Sequence, residues 1–205
     1  MWNGIRVRST PLYRRQTRLR RRLHRALHGS QVSIITADCV GGRISSLAGN
    51  EYRSPTVGLL LHGDSYFELV SDLPRYLKEP VVEDVDESAR RGYPVGRMGR
   101  VTLYFMHYPT FAVAESAWRE RAARVDPDNV VLVYTDRSGD PDADVARFAA
   151  LPYARKLMFT AKEHPGVDCV ATLPAYVGES TVGELFTEWV EMEPALKGAR
   201  LDLFR

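Results

Sequence analysis

The sequence predicts an α/β fold: a three-layer sandwich with a largely parallel sheet, preceded by an Arg-rich N-terminal helix. Two observations point there. After residue 30, short apolar β-type runs alternate with amphipathic stretches of helical length, the order of successive β–α units. Of the 205 residues, 44% are hydrophobic, enough for one core of good size. The expected division is a basic amphipathic arm over 1–30 and a single α/β domain over 31–205.

The arm holds nine arginines and no acidic residue, so the net charge of +2 conceals a remainder with 19 basic and 26 acidic side chains. A helix is expected over 12–28, where Leu19, Leu23 and Leu27 fall four apart and mark a narrow apolar stripe. Such a helix has three outlets: the domain's own acidic surface, an anionic membrane surface, or nucleic acid. Nucleic acid is disfavoured because no aromatic residues interleave with the arginines.

Strands are expected over 31–37, 56–61, 101–106, 129–135 and 155–160, with weaker ones near 80–82 and 168–172. Helices are expected over 42–48, 64–77, 110–124, 142–150 and 180–190. Pro74 marks a break in the second of these. Phe111, Ala114, Trp118 and Ala122 share one side of the third, and Pro127 stops it. Asp140, Asp142 and Asp144 suit the start of the fourth. The charged, glycine-rich stretch 83–100 reads as an exposed excursion.

Two cysteines do not make a disulfide framework and favour a reducing, cytoplasmic setting, with peripheral attachment to a membrane as the second reading. No apolar run approaches the ~20 residues of a membrane span, and the N-terminus lacks the apolar centre of a secretory signal.

Ligands of open parallel sheets bind beyond the strands' C-terminal ends. The residues there are Asp38-Cys39, His62-Gly63-Asp64, His107-Tyr108, Asp136-Arg137 and Lys162-Glu163-His164. If all five strands run parallel, these groups share one edge. A cysteine opening a helix meets free N–H groups that favour a thiolate, and histidine is the usual base for such a nucleophile. The expected catalytic set is Cys39 as nucleophile, His107 as base and Asp136 as orienting acid. Backbone N–H groups of Val40, Gly41 and Gly42 are candidate oxyanion donors. Asp38, Gly41, Gly42, Arg43, His62, Tyr108, Arg137 and Lys162 are expected around the substrate. Each has a plainer reading: a packed thiol in a glycine turn, edge histidines, an aspartate capping a turn. Cys169, within an apolar run, reads as core. No cofactor is called for: metal-ligand spacing, a dinucleotide fingerprint and a phosphate loop are all lacking, and the scattered Asp-x-Asp pairs lie in charged loops and helix starts.

Several segments together resemble the family of unknown function numbered 1919, often described as exopolysaccharide biosynthesis proteins. They are Cys39-Val40-Gly41-Gly42-Arg43, Tyr52 through Leu59, Tyr93-Pro94-Val95-Gly96, His107-Tyr108, Trp118 through Arg121 with Arg124, Thr135-Asp136-Arg137, and Phe159-Thr160-Ala161-Lys162. The resemblance spans roughly 32–172 and leaves most of the arm outside. The family usually has Asn-Cys-Trp-Gly-Gly at the start, from which Asp38 and Val40 depart. Its distant similarity to papain-like cysteine peptidases implies a Cys–His pair, and its name implies a polysaccharide context.

The leading expectation is cysteine-dependent acyl transfer or hydrolysis, with a small-molecule or carrier-bound thioester or ester donor and a sugar or amine acceptor. The rivals are a glycosyltransferase-like or sugar-nucleotide-binding protein, in which Asp136, Arg137 and the glycine turn hold the nucleotide, and a non-enzymatic partner protein recruited through the arm.

Overall fold

The structure is a computed structural model and describes residues 11–182 and 199–205. Helix α1 (Pro11–Leu27) leads into strand β1 (Ser33–Thr36) and helix α2 (Val40–Ala48). After a long loop come α3 (Gly63–Ser71) and the short α4 (Leu73–Tyr76), separated at Asp72 just before Pro74. Then follow β2 (Val82–Glu83), α5 (Val85–Arg91), β3 (Val95–Met98), β4 (Val101–Tyr104), α6 (Phe111–Ala122), β5 (Val130–Thr135), α7 (Pro141–Ala150), β6 (Lys156–Thr160) and β7 (Val170–Thr172). A short helical turn covers Ala199–Asp202. The helix expected over 180–190 lies outside the described residues from 183 onward.

The main sheet has the order β1-β5-β6-β7, and every pairing is parallel. Its central strands are buried on both faces, so apolar residues run without interruption through Val130–Tyr134. Alternate side chains separate into two cores. Ile35, Leu132, Tyr134 and Met158 meet Tyr66, Leu73, Trp118 and Phe148 from α3, α4, α6 and α7. On the other face, Ile34, Val131, Leu157 and Phe159 meet Leu23, Leu27, Ile44 and Phe204. This is the three-layer α/β arrangement expected.

The arm helix is a working part of the second helical layer. Leu23 and Leu27 are buried in the core shared with α2. His24 Nδ1–H donates to the Ala48 carbonyl (2.8 Å), and Asn50 closes the end of α1 by donating to Leu27 O and accepting from Gly29 N–H. The helix therefore docks on an apolar surface and not on the acidic one envisaged. The side chain of Leu19 lies outside the described ones.

Three expectations are corrected. The segment 56–61 is not a strand: it turns at Gly58 (φ +81°) and makes a single antiparallel bridge, Leu60 to Tyr104. Strand β4 belongs to a separate antiparallel sheet of order β2-β3-β4, so His62 and His107 do not follow strands of the parallel sheet. The stretch 83–100 is no loose excursion, since it supplies α5 and the central strand β3 of that second sheet, with Gly99 (φ +52°) at the tip of the β3–β4 hairpin.

The segment 59–61 nevertheless joins the two sheets. Leu61 N–H donates to Ala37 O beyond the end of β1 (2.7 Å), while Leu60 and Tyr104 exchange N–H···O bonds of 2.9 and 3.0 Å. This connection brings the end of β4 to the C-terminal edge of the parallel sheet.

Candidate functional site

Asp38 organises the turn from β1 into α2. Its carboxylate is buried and accepts three hydrogen bonds, from Thr36 Oγ1–H (3.1 Å), Val40 N–H (2.9 Å) and Thr135 Oγ1–H (3.0 Å). The ends of β1 and β5 and the first turn of α2 are thereby held together.

Cys39 caps α2 and is half-buried. Burial, and then the neighbouring Asp38 carboxylate, push its thiol up to about 11. The Gly58 backbone N–H and the charge of Arg137 pull the other way without offsetting them. The expected advantage of a helix N-terminus for a thiolate is outweighed, and at neutral pH Cys39 is a thiol.

The two glycines serve packing. A Cβ on Gly41 would sit 2.9 Å from both Ile34 Cγ2 and Thr36 Cγ2, and one on Gly42 would sit 2.9 Å from Val57 Cγ1. Neither residue lines the pocket at Cys39, and the Val40 N–H is already taken by Asp38. The oxyanion role expected of Val40 is therefore corrected. Gly41→Ala is expected to destabilise the fold by about 1–3 kcal/mol through overpacking, net of a helix-propensity gain of about 1 kcal/mol, read as a lower denaturant midpoint.

A pocket of about 230 Å³ is lined by Asp38, Cys39, Leu59, Leu60, Met106, His107 and Arg137. It brings together the expected nucleophile, base and one expected cation, but by a different route from five parallel strands. Cys39 comes from the end of β1 and Arg137 from the end of β5. His107 comes from the end of the antiparallel β4, which the bridge at Leu60 carries into place.

The other expected residues lie elsewhere. Asp136 is fully buried, and its oxygens accept from Ala161 N–H and Val182 N–H, each at 2.7 Å. It fastens the segments that follow β6 and β7; the structure records no bond from it to His107. His62 caps α3 with its ring edge-on to Tyr104 (centroids 4.9 Å apart), outside the pocket lining. Arg43 is exposed on α2. Lys162 is exposed and paired with Asp142 (3.2 Å). Cys169 is half-buried: it packs on the core and lines a separate hollow of about 700 Å³ with Lys156, Asp168 and Leu203, a departure from the core position expected.

Tyr108 does not line the pocket but supports it. Its hydroxyl donates to Val57 O (2.7 Å), and Arg121 Nη1 donates to both Val57 O (3.0 Å) and Tyr108 Oη (2.6 Å). This pair clamps the carbonyl just before Gly58, whose N–H points at the Cys39 sulfur. Arg121 and the apolar wall of Leu59, Leu60 and Met106 were not found from sequence. The signal for Arg121 was its place in a motif, but its carbonyl partner is visible only in the fold.

A family model described as "Domain of unknown function (DUF1919)" matches residues 12–196. The match includes the arm helix, which the motif resemblance had left mostly outside. The chain is also similar to an uncharacterized protein of Haemophilus influenzae (strain ATCC 51907 / DSM 11121 / KW20 / Rd), 29% identical over 168 residues, covering 82% of this chain and 80% of the relative. Among the described residues, no helix is long and apolar enough to cross a membrane.

Proposed function

We propose that this chain, which belongs to the DUF1919 family, is a cysteine-dependent acyltransferase or hydrolase. The observation that carries the reading is the presence of Cys39 and His107 on the wall of one pocket, delivered by two different sheets, with Arg137 beside them. A packed structural cysteine has no need of an exposed imidazole across a cavity from it.

The raised thiol sets the order of events. With its ordinary ionisation moved to about 11, Cys39 reacts by giving its proton to His107 as the sulfur attacks a thioester or ester carbonyl. The new C–S bond forms, the bond to the leaving group breaks, and the imidazolium returns the proton to that group. Water, a sugar hydroxyl or an amine then loses a proton to His107 and takes the acyl group as the C–S bond breaks, and the imidazolium returns that proton to the sulfur. A sulfur of high basicity is the stronger nucleophile once ionised. Arg137 suits a phosphate or carboxylate on either substrate, and Leu59, Leu60 and Met106 suit an apolar acyl part. The reading invokes no cofactor. A role in polysaccharide or secondary-metabolite biosynthesis, inside the cytoplasm, belongs to the same proposal.

The sugar-nucleotide reading is less well supported. Both Asp136 oxygens already accept backbone N–H groups, and the glycine turn is filled by Ile34, Thr36 and Val57.

Mass spectrometry after incubation with an acyl thioester tests the proposal. An adduct on Cys39, absent in Cys39→Ala and not formed in His107→Ala, is expected. Full turnover by Cys39→Ala would sink the reading. In a Cys169→Ser background, iodoacetamide labelling of Cys39 is expected to accelerate about tenfold per pH unit from about pH 7 to 10, without levelling, and His107→Ala is expected to leave that profile in place. Levelling near neutral pH would instead show a resting thiolate.

A further inference from the structure

We infer that the arginine face of α1 is a docking surface for an anionic phospholipid bilayer, engaged by charge without insertion. Arg18, Arg21 and Arg25 are exposed and Arg22 is half-exposed. Their spacing of three and four places all of them on one side of the helix. Among the described residues, no ion pair joins any of Arg18, Arg21, Arg22 and Arg25 to an acidic side chain.

The opposite side of α1 determines how the helix can meet lipid. Leu23 and Leu27 are consumed by the core shared with α2, and the helix end is bound through His24 and Asn50. The leucines of an inserting amphipathic helix must reach the acyl region; these cannot do so without leaving the domain. What remains is a rigid stripe of guanidinium groups, whose attraction to anionic headgroups is electrostatic and falls within a Debye length.

A bilayer fits this stripe better than a nucleic acid does. The arginines lie on a single convex helix, with no Phe, Tyr or Trp among positions 14–27 on which bases would stack. The remainder of the chain carries 26 acidic against 19 basic side chains, which repels a polyanion that extends past the helix. A flat surface meets only the face turned towards it.

Flotation of the full chain with vesicles tests the inference. Partition is expected onto phosphatidylcholine containing about one-third phosphatidylglycerol at about 0.05 M salt, with loss at about 0.5 M salt and none on phosphatidylcholine alone. The variant R18Q/R21Q/R25Q is expected to keep its thermal melt and lose partition roughly a hundredfold, at about fivefold per arginine. Equal partition onto neutral vesicles, undiminished partition of the triple variant, or failure to float with anionic vesicles alongside tight binding to an oligonucleotide would each overturn it. None of these outcomes depends on the chemistry of Cys39.

Discussion

Gly139→Ala is expected to destabilise the protein by about 3–5 kcal/mol, the sum of overpacking and of a buried hydrogen bond forced apart. The residue follows the turn that carries Arg137. A methyl group there would lie 2.0 Å from Asp144 Oδ2 and 2.8 Å from Tyr134 Oη. Those two atoms are hydrogen-bonded to each other at 2.7 Å. Neither can retreat. Asp144 is buried and also accepts from Arg147 (3.3 Å), which in turn reaches Asp64 and lies over Phe67. The Tyr134 ring is stacked between Tyr66 and Phe148. A guanidinium denaturation curve measures the loss. Combining Gly139→Ala with Tyr134→Phe is expected to cost less than the sum of the single changes, because the second substitution removes one of the colliding oxygens. A Gly139→Ala midpoint within about 0.5 kcal/mol of the parent would show that the turn relaxes freely.

Asp136→Ala is expected to cost about 3 kcal/mol, since the N–H groups of Ala161 and Val182 lose their acceptor in a buried place. Asp136→Asn keeps one acceptor and should fall between. The pH dependence has a definite sign. Burial holds the carboxyl above the ordinary carboxylate range, and the two N–H donors, His164 and Lys162 reduce that shift without cancelling it. Its contribution is therefore fully present below the unfolded value near 3.9 and declines as pH rises through the folded value. The penalty of Asp136→Ala, measured by denaturation across this range, should be larger near pH 4 than at pH 7. A penalty that grew with pH would mean that the carboxylate is the form the fold prefers.

The elements most legible in the sequence were those with one dominant local signal. Asp140 starts α7 where expected, since it accepts from the N–H groups of Asp142 and Ala143. Pro74 divides α3 from α4. The run 129–135 is a strand because both faces of β5 are buried. Where apolar content was the only signal, it misled: 56–61 is as apolar as a strand, but Leu59 and Leu61 reach the core from a loop turned at Gly58. The candidate site was half legible. Cys39, His107 and Arg137 could be picked out because turns put chemically able residues at strand ends. The ionisation of Cys39 could not, because the helix terminus visible in sequence is opposed by burial that only packing produces. Nor could the placement of Asp136, whose second partner is supplied by Val182, far along the chain.

The bridge at Leu60 also bears on the order in which the molecule can assemble. The pocket gathers Asp38 at one extreme and Arg137 at the other, and its thiol and imidazole ride on separate hydrogen-bonded ladders. Neither ladder encodes their separation; it exists only once the loop between α2 and α3 has been laid between the end of β1 and the end of β4. Contacts so remote along the chain must meet the entropy of closing long loops before they return any stabilisation. The hollow that would do the chemistry is thus expected to form only after those long loops close, and no fragment that stops short of β5 can contain it.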